Sequence, residues 1–173
     1  WSQGDRASRL LLQPLGAAAV AQVVANLLGS TGLGDDLIAR IVEAAEGNPL
    51  YVEQVLSMLK DSGALKQDEG GGWVVAKDQA GISVPPTIQA LLEARLDKLE
   101  RTERAAAEPA AVIGLEFAQP AVQSLAPAPV KESIDKQLAA LARKQFIRPA
   151  RAGAADQLYR FHNYLVRETV YNG

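Results

Sequence analysis

Within Glu46-Gly47-Asn48-Pro49-Leu50 the chain ends one helix and begins another, and this stretch limits the fold more than any other. Gly47 suits the position after the last helical residue, because glycine enters the left-handed region without a steric cost. Asn48 suits the N-cap, where its side-chain oxygen accepts an orphan amide hydrogen of the first turn. Pro49 suits the first helical position, where no amide hydrogen is needed and φ is already set. So tight a corner requires an apolar stripe on both helices. Leu37, Ile38, Ile41, Val42 and Ala45 supply it before the corner, and Leu50, Val52, Val55, Leu56 and Leu59 after it. The second helix opens with free amides and a positive dipole end, which suits an anion or nucleotide. The same residues also make complete sense as a helix corner without a ligand.

Upstream, Arg9–Leu12 is a short apolar run ended by Pro14 and reads as one buried strand. Gly16 to Leu28 is alanine-rich, with Val20, Val23, Val24, Leu27 and Leu28 at helical spacing, and Gly29-Ser30-Thr31-Gly32 ends it. Asp35 or Asp36 is positioned to cap the next helix, and the third runs from Pro49 to about Ser62. Short helices joined by tight corners predict a small bundle. Gly63 to Ile82 changes character: Gly70-Gly71-Gly72 between Ala64-Leu65-Lys66 and Trp73-Val74-Val75-Ala76 predicts a β-hairpin with a loose glycine tip. Trp73 is assigned to packing this flap on the bundle. Pro85-Pro86 is the best internal boundary.

Thr87 opens a long helical pattern through Ile88, Leu91, Leu92, Leu96 and Leu99. Its Arg95, Lys98, Arg101 and Arg104 interleave with Asp97, Glu100 and Glu103, the mark of a solvated mixed-charge face rather than a nucleic-acid patch. Thr102 to Ile113 follows, with Pro109 as an expected kink and Gly114 closing it, and then a short helix spans Gln119 to Leu125. One helix is predicted over Val130–Lys144, burying Ile134, Leu138, Leu141 and Ala142. Gln145–Arg148 and Gln157–Phe161 flank a Gly/Ala turn, and Asn163 caps a last helix holding Leu165, Val166, Val170 and Tyr171. A helix followed by a two-stranded wing makes the second half winged-helix-like.

Composition removes several function classes. The 173 residues carry a net charge of −2, no cysteine and a single histidine. Disulfides, thiolate metal sites and multi-histidine zinc sites are excluded, and no global field draws the chain to nucleic acid. No apolar run approaches the roughly 18 residues of a membrane span, and no signal-peptide pattern is visible. There is no G-x-x-x-x-G-K-[ST] phosphate loop, and no strand ends in paired acids for magnesium. No Ser/His/Asp or Cys/His set can be assembled, so this stretch of chain is expected to catalyse nothing by itself. Starting at Trp1 and stopping just after a helical pattern, it reads as a fragment of a longer protein.

Taken in order, Arg9–Leu15, Ala44–Leu56, Val84–Ile88 with Ala94–Leu99, Ala110–Phe117 and Phe161–Tyr171 resemble the C-terminal part of the nucleotide-binding module of STAND ATPases, a branch of the AAA+ class. The version most similar is fused to bacterial class III adenylate/guanylate cyclases or to LuxR-type transcription regulators. The resemblance implies a mainly α fold. Residues 1–15 would be a residual strand and linker from a missing ATPase core, 16–84 a helical lid with a β-hairpin flap, and 85–173 a winged-helix-like domain. It also implies that Gly47, Asn48 and Pro49 face bound ATP or ADP, with the proline against base or sugar and Mg supplied in the parent protein. None of these is expected on the isolated fragment. Related proteins place a diphosphate-sensing histidine at the start of the last helix. Here that position is Asn163, which can donate to a phosphate but carries no charge, and His162 stands one place early, pointing to a different face.

The implied role is regulatory signal transduction in the cytoplasm, with the upstream core and an effector domain of the same chain as partners, protein–protein contacts, and no membrane. Two other readings compete. The first is a DNA-binding module using Val130–Lys144 with Lys131, Lys136, Arg143 and Lys144, opposed by Glu132 and Asp135 on the same element. The second is a helical protein-interaction scaffold indifferent to nucleotide.

Overall fold

The computed structural model describes residues 11–29, 33–76, 81–151 and 157–173. The chain is mainly helical, a small helical bundle followed by a winged-helix-like half with short antiparallel sheets.

The bundle contains α1 (Ala17–Leu28), α2 (Asp35–Ala45) and α3 (Pro49–Asp61). Its core is largely aliphatic, with Leu37, Ile41, Val52 and Val55 fully buried and the Tyr51 ring buried among them. Helix α2 begins differently from expectation. Gly34 is its N-cap, and Asp35 and Asp36 occupy the first turn, where carboxylates complement the dipole without capping it. Gly29 ends α1 at φ 66, while Ser30-Thr31-Gly32 lies outside the described residues. Leu11 and Leu12 form no strand. They are exposed coil at 76% and 82%, because no sheet stands beside them to accept their backbone groups; Arg9 and Leu10 lie outside the described residues.

Strands β1 (Leu65–Gln67) and β2 (Trp73–Val75) form the expected hairpin. Its tip is organised rather than loose, since Asp68 Oδ1 accepts from the amides of Gly70 at 2.9 Å and Gly72 at 2.8 Å. Trp73 packs on the bundle core, with Lys60 Nζ 4.3 Å from its ring centroid.

Thr87 caps α4 (Ile88–Leu96), which is shorter than its apolar pattern because the chain turns at Asp97–Leu99. A capping box between Glu100 and Glu103 then starts α5 (Arg101–Ile113), which holds Pro109 within it. Next come β3 (Glu116–Ala118) and α6 (Gln119–Leu125). The single helix expected over Val130–Lys144 is two, α7 (Ala128–Lys131) and α8 (Ile134–Arg143), because Ser133 leaves helical geometry and its amide closes a turn on Val130 at 3.0 Å. β4 (Ile147–Arg151) and β5 (Leu158–Phe161) are the wing, and α9 (Tyr164–Asn172) is last. The wing is not two-stranded. β3 pairs with β5, Phe117 opposite Tyr159, giving the order β3-β5-β4. Stacking of Phe117 on Tyr159 and its tilt against Phe161 fix that register.

Pro85-Pro86 marks a change of architecture but not a gap. Leu91 of α4 belongs to the bundle core, its neighbour Leu92 to the winged-helix core, and Ile88 packs on both.

Candidate functional site

The Gly47-Asn48-Pro49 corner is built largely as its residue types require. Glu46 and Gly47 are both left-handed, at φ 47 and φ 76. Asn48 caps α3, its side chain accepting from the Leu50 amide at 3.0 Å, and Pro49 is the first helical residue. Gly47 has a reason to be glycine that spacing could not reveal. A Cβ there would lie 2.5 Å from the Leu15 carbonyl oxygen and 2.7 Å from Pro14 Cβ, and the Leu15 amide donates to the Gly47 carbonyl at 2.9 Å. Gly47 is therefore buried beneath Pro14-Leu15, whereas Asn48 and Pro49 are exposed.

Asn163 caps α9, accepting from the Val166 amide at 2.9 Å. This engages its oxygen only. Its Nδ2 is buried with no hydrogen-bond partner, an arrangement that ordinarily costs on the order of 1–3 kcal/mol. His162 has a different neighbour from Asn163. Its Nε2 lies 3.6 Å from Glu53 Oε2, one turn along α3 from Pro49, and its amide donates to the Phe146 carbonyl at 2.9 Å. The start of α3 and the start of α9 thereby approach each other through Glu53 and His162.

A cleft of about 660 Å³ lies elsewhere, between α4 and α9, and is lined by Ile88, Leu92, Glu93, Asp97, Leu165 and Glu168. Among the described residues no group of three or more His, Cys, Asp or Glu is arranged to hold a metal, and no helix is long and apolar enough to cross a membrane.

The surface proposed for DNA is weaker than its sequence suggests. Lys144 Nζ is tied to Glu103 Oε2 at 2.6 Å, while Glu132 and Asp135 are exposed in the same α7–α8 segment as Lys131 and Lys136.

Sequence reasoning missed Arg95, which was placed on a solvated face. It is 2% exposed and stands between α3 and the end of α8. Helical spacing alone held the clue, since Arg95 falls beside Leu91, Leu92 and Leu96, on the inward side of α4. No protein-family model, curated protein or solved structure matches this chain.

Proposed function

We propose that this chain is the lid and winged-helix portion of a STAND-type ATPase of the cytoplasm. It would couple the nucleotide state of an upstream core to an effector, a nucleotidyl cyclase or a transcription regulator, in the same protein. The observation that carries the reading is the pairing of two helix starts. Pro49 stands exposed at the start of α3, Asn163 holds an unpartnered Nδ2 at the start of α9, and Glu53 and His162 link the two elements.

These residues suit the edge of a nucleotide site. Pro49 offers an open ring for a base or sugar, and Asn163 carries a buried orphan Nδ2 that a phosphate oxygen would satisfy once the start of α9 opens to expose it. They do not make a whole site. Without a phosphate loop, the groups that hold ATP and Mg and carry any hydrolysis belong to the upstream core. In this reading ATP or ADP supplies a change of charge and contact at the γ-phosphate. This chain's residues hold the base side and bias a closed or open arrangement.

The test pairs stability with binding. Pro49→Ala leaves this chain folded with a change below about 1 kcal/mol, because alanine is a good helix former and the first helical position needs no hydrogen bond. In the nucleotide-binding parent the same substitution weakens ADP binding by about five- to thirty-fold, the equivalent of one lost ring contact of about 1–2 kcal/mol. Unchanged affinity removes Pro49 from the site. A clear ATPase rate from this chain alone, abolished by a substitution within it, overturns the division of labour.

A further inference from the structure

One buried arginine bonds to both the bundle and the end of α8. Arg95 projects from α4 with a side chain only 1% exposed. Its Nη1 donates to Gln54 Oε1 on α3. Its Nη2 donates to Asp61 Oδ2, also on α3, at 3.2 Å, and to the Lys144 carbonyl at the end of α8. The guanidinium lies 4.8 Å from the centroid of Phe146, just before β4. A second strut runs beside it, as Ser57 Oγ of α3 donates to Gln145 Oε1 at 2.5 Å. Gln145 holds a left-handed conformation, φ 57, although it is not glycine. That backbone turn presents the Lys144 carbonyl to Arg95 and the Gln145 side chain to Ser57.

From this geometry we infer that Arg95 locks the bundle and the winged-helix half into a single rigid lever, and that Pro85-Pro86 is not a hinge. Apolar surface alone is non-directional and lets packed halves slide. A planar guanidinium is directional, because its donors leave in a fixed fork and each acceptor must sit where the fork points. Here the acceptors come from both halves, so the fork sets the angle between them. A buried charge is a poor source of net stability, and its best-attested use is in fixing one arrangement over others. Tyr51 adds a pin at the junction itself, its hydroxyl donating to the Pro85 carbonyl. The lock stands independently of the nucleotide reading. If that reading holds, a force on the start of α3 reaches the wing without loss in a flexible joint.

The absence of cysteine makes the test direct. Glu43→Cys on α2 and Lys136→Cys on α8 place spin labels at exposed positions in the two halves of this chain. Electron–electron distance measurement on the labelled parent is expected to give one narrow distribution. Arg95→Met, folded by circular dichroism, is expected to broaden it or add a second population, and Arg95→Lys to do the same because an ammonium cannot reproduce the fork. A broad distribution in the parent, or an unchanged one in folded Arg95→Met, overturns the lock. If Arg95→Met does not fold, Arg95→Lys, which keeps the buried charge but not the fork, carries the test. Broadening there supports the inference, and an unchanged distribution overturns it.

Discussion

The two halves of the molecule differ at the helices that form their centres. The bundle is closed by long side chains, with Leu37, Ile41, Leu56 and Leu59 projecting from helices held apart by their bulk. At the centre of the winged-helix half stands α5, whose inward face is Ala106, Ala107, Ala110 and Ala111, all fully buried, with α8 and α9 packed on it. There the volume is taken by approaching backbones and by Leu138, Leu141 and Val166 reaching across. The bundle centre is thus sensitive to losing volume, and the alanine face of α5 to gaining it.

Truncation and enlargement should separate them. Ile41→Ala leaves a cavity in the bundle and is expected to cost about 2–5 kcal/mol in chemical denaturation. In the winged-helix half the damaging change is the reverse, Ala107→Leu, expected to cost about 1–3 kcal/mol by forcing helices apart. If Ala107→Leu is tolerated without loss, α5 is not closely packed and the contrast fails.

The turns repeat the contrast on a smaller scale. Gly63 sits at φ 67 with open space where a Cβ would go, so Gly63→Ala carries only the left-handed penalty, about 1–2 kcal/mol. Gly47→Ala carries that penalty and must also displace the backbone of Leu15, so it is expected to be the more destabilising of the pair. Equal melting losses would mean that Pro14-Leu15 does not rest on the corner. Gln145, like Glu46 in the bundle, is left-handed without being glycine, and its side chain reaches Ser57.

This contrast also explains how far the sequence could be read. Helices α1, α2 and α3 declare themselves through periodicity, and the Asn48 and Asn163 caps through local hydrogen-bonding chemistry, since both signals act within a few residues. The pairing of β3 with β5 escaped notice because Phe117 and Tyr159 meet across a long separation, and a three-residue strand has no period of its own. Arg95 was misassigned for a similar reason. Its acceptors, Gln54, Asp61 and the Lys144 carbonyl, are distant in sequence, so a basic residue among acids looked solvated. At the candidate site the corner at Gly47-Asn48-Pro49 was legible, but the burial of Asn163 Nδ2 and the approach of His162 to Glu53 were not.

The two asparagine caps compare the halves at equal chemistry. Asn48→Ala removes a cap from an exposed helix start and is expected to cost about 1 kcal/mol. Asn163→Ala removes the same kind of bond but also an unpartnered buried amide, so its net cost in thermal melting is expected to be smaller. A larger loss at Asn163 would show that its Nδ2 is satisfied.

The smallest effect tests the seam between the halves. Tyr51 is buried in the bundle and its hydroxyl donates to Pro85, where the winged-helix half begins. Burial pushes this phenol from 10.0 up to about 12. A raised folded-state value means that the folded chain favours the protonated form. The resulting stabilisation is whole below the unfolded value of 10.0 and is lost as pH rises through about 12. Tyr51→Phe removes the hydrogen bond, a deficit of about 0.5–1.5 kcal/mol near neutral pH, and with it the alkaline loss. The stability gap between parent and variant is therefore expected to narrow between neutral pH and about pH 11, as read from denaturation midpoints. If the gap stays constant, the phenol ionises in the folded chain as it does in water. Tyr51 is then not sealed against Pro85, and the pin at the junction is open.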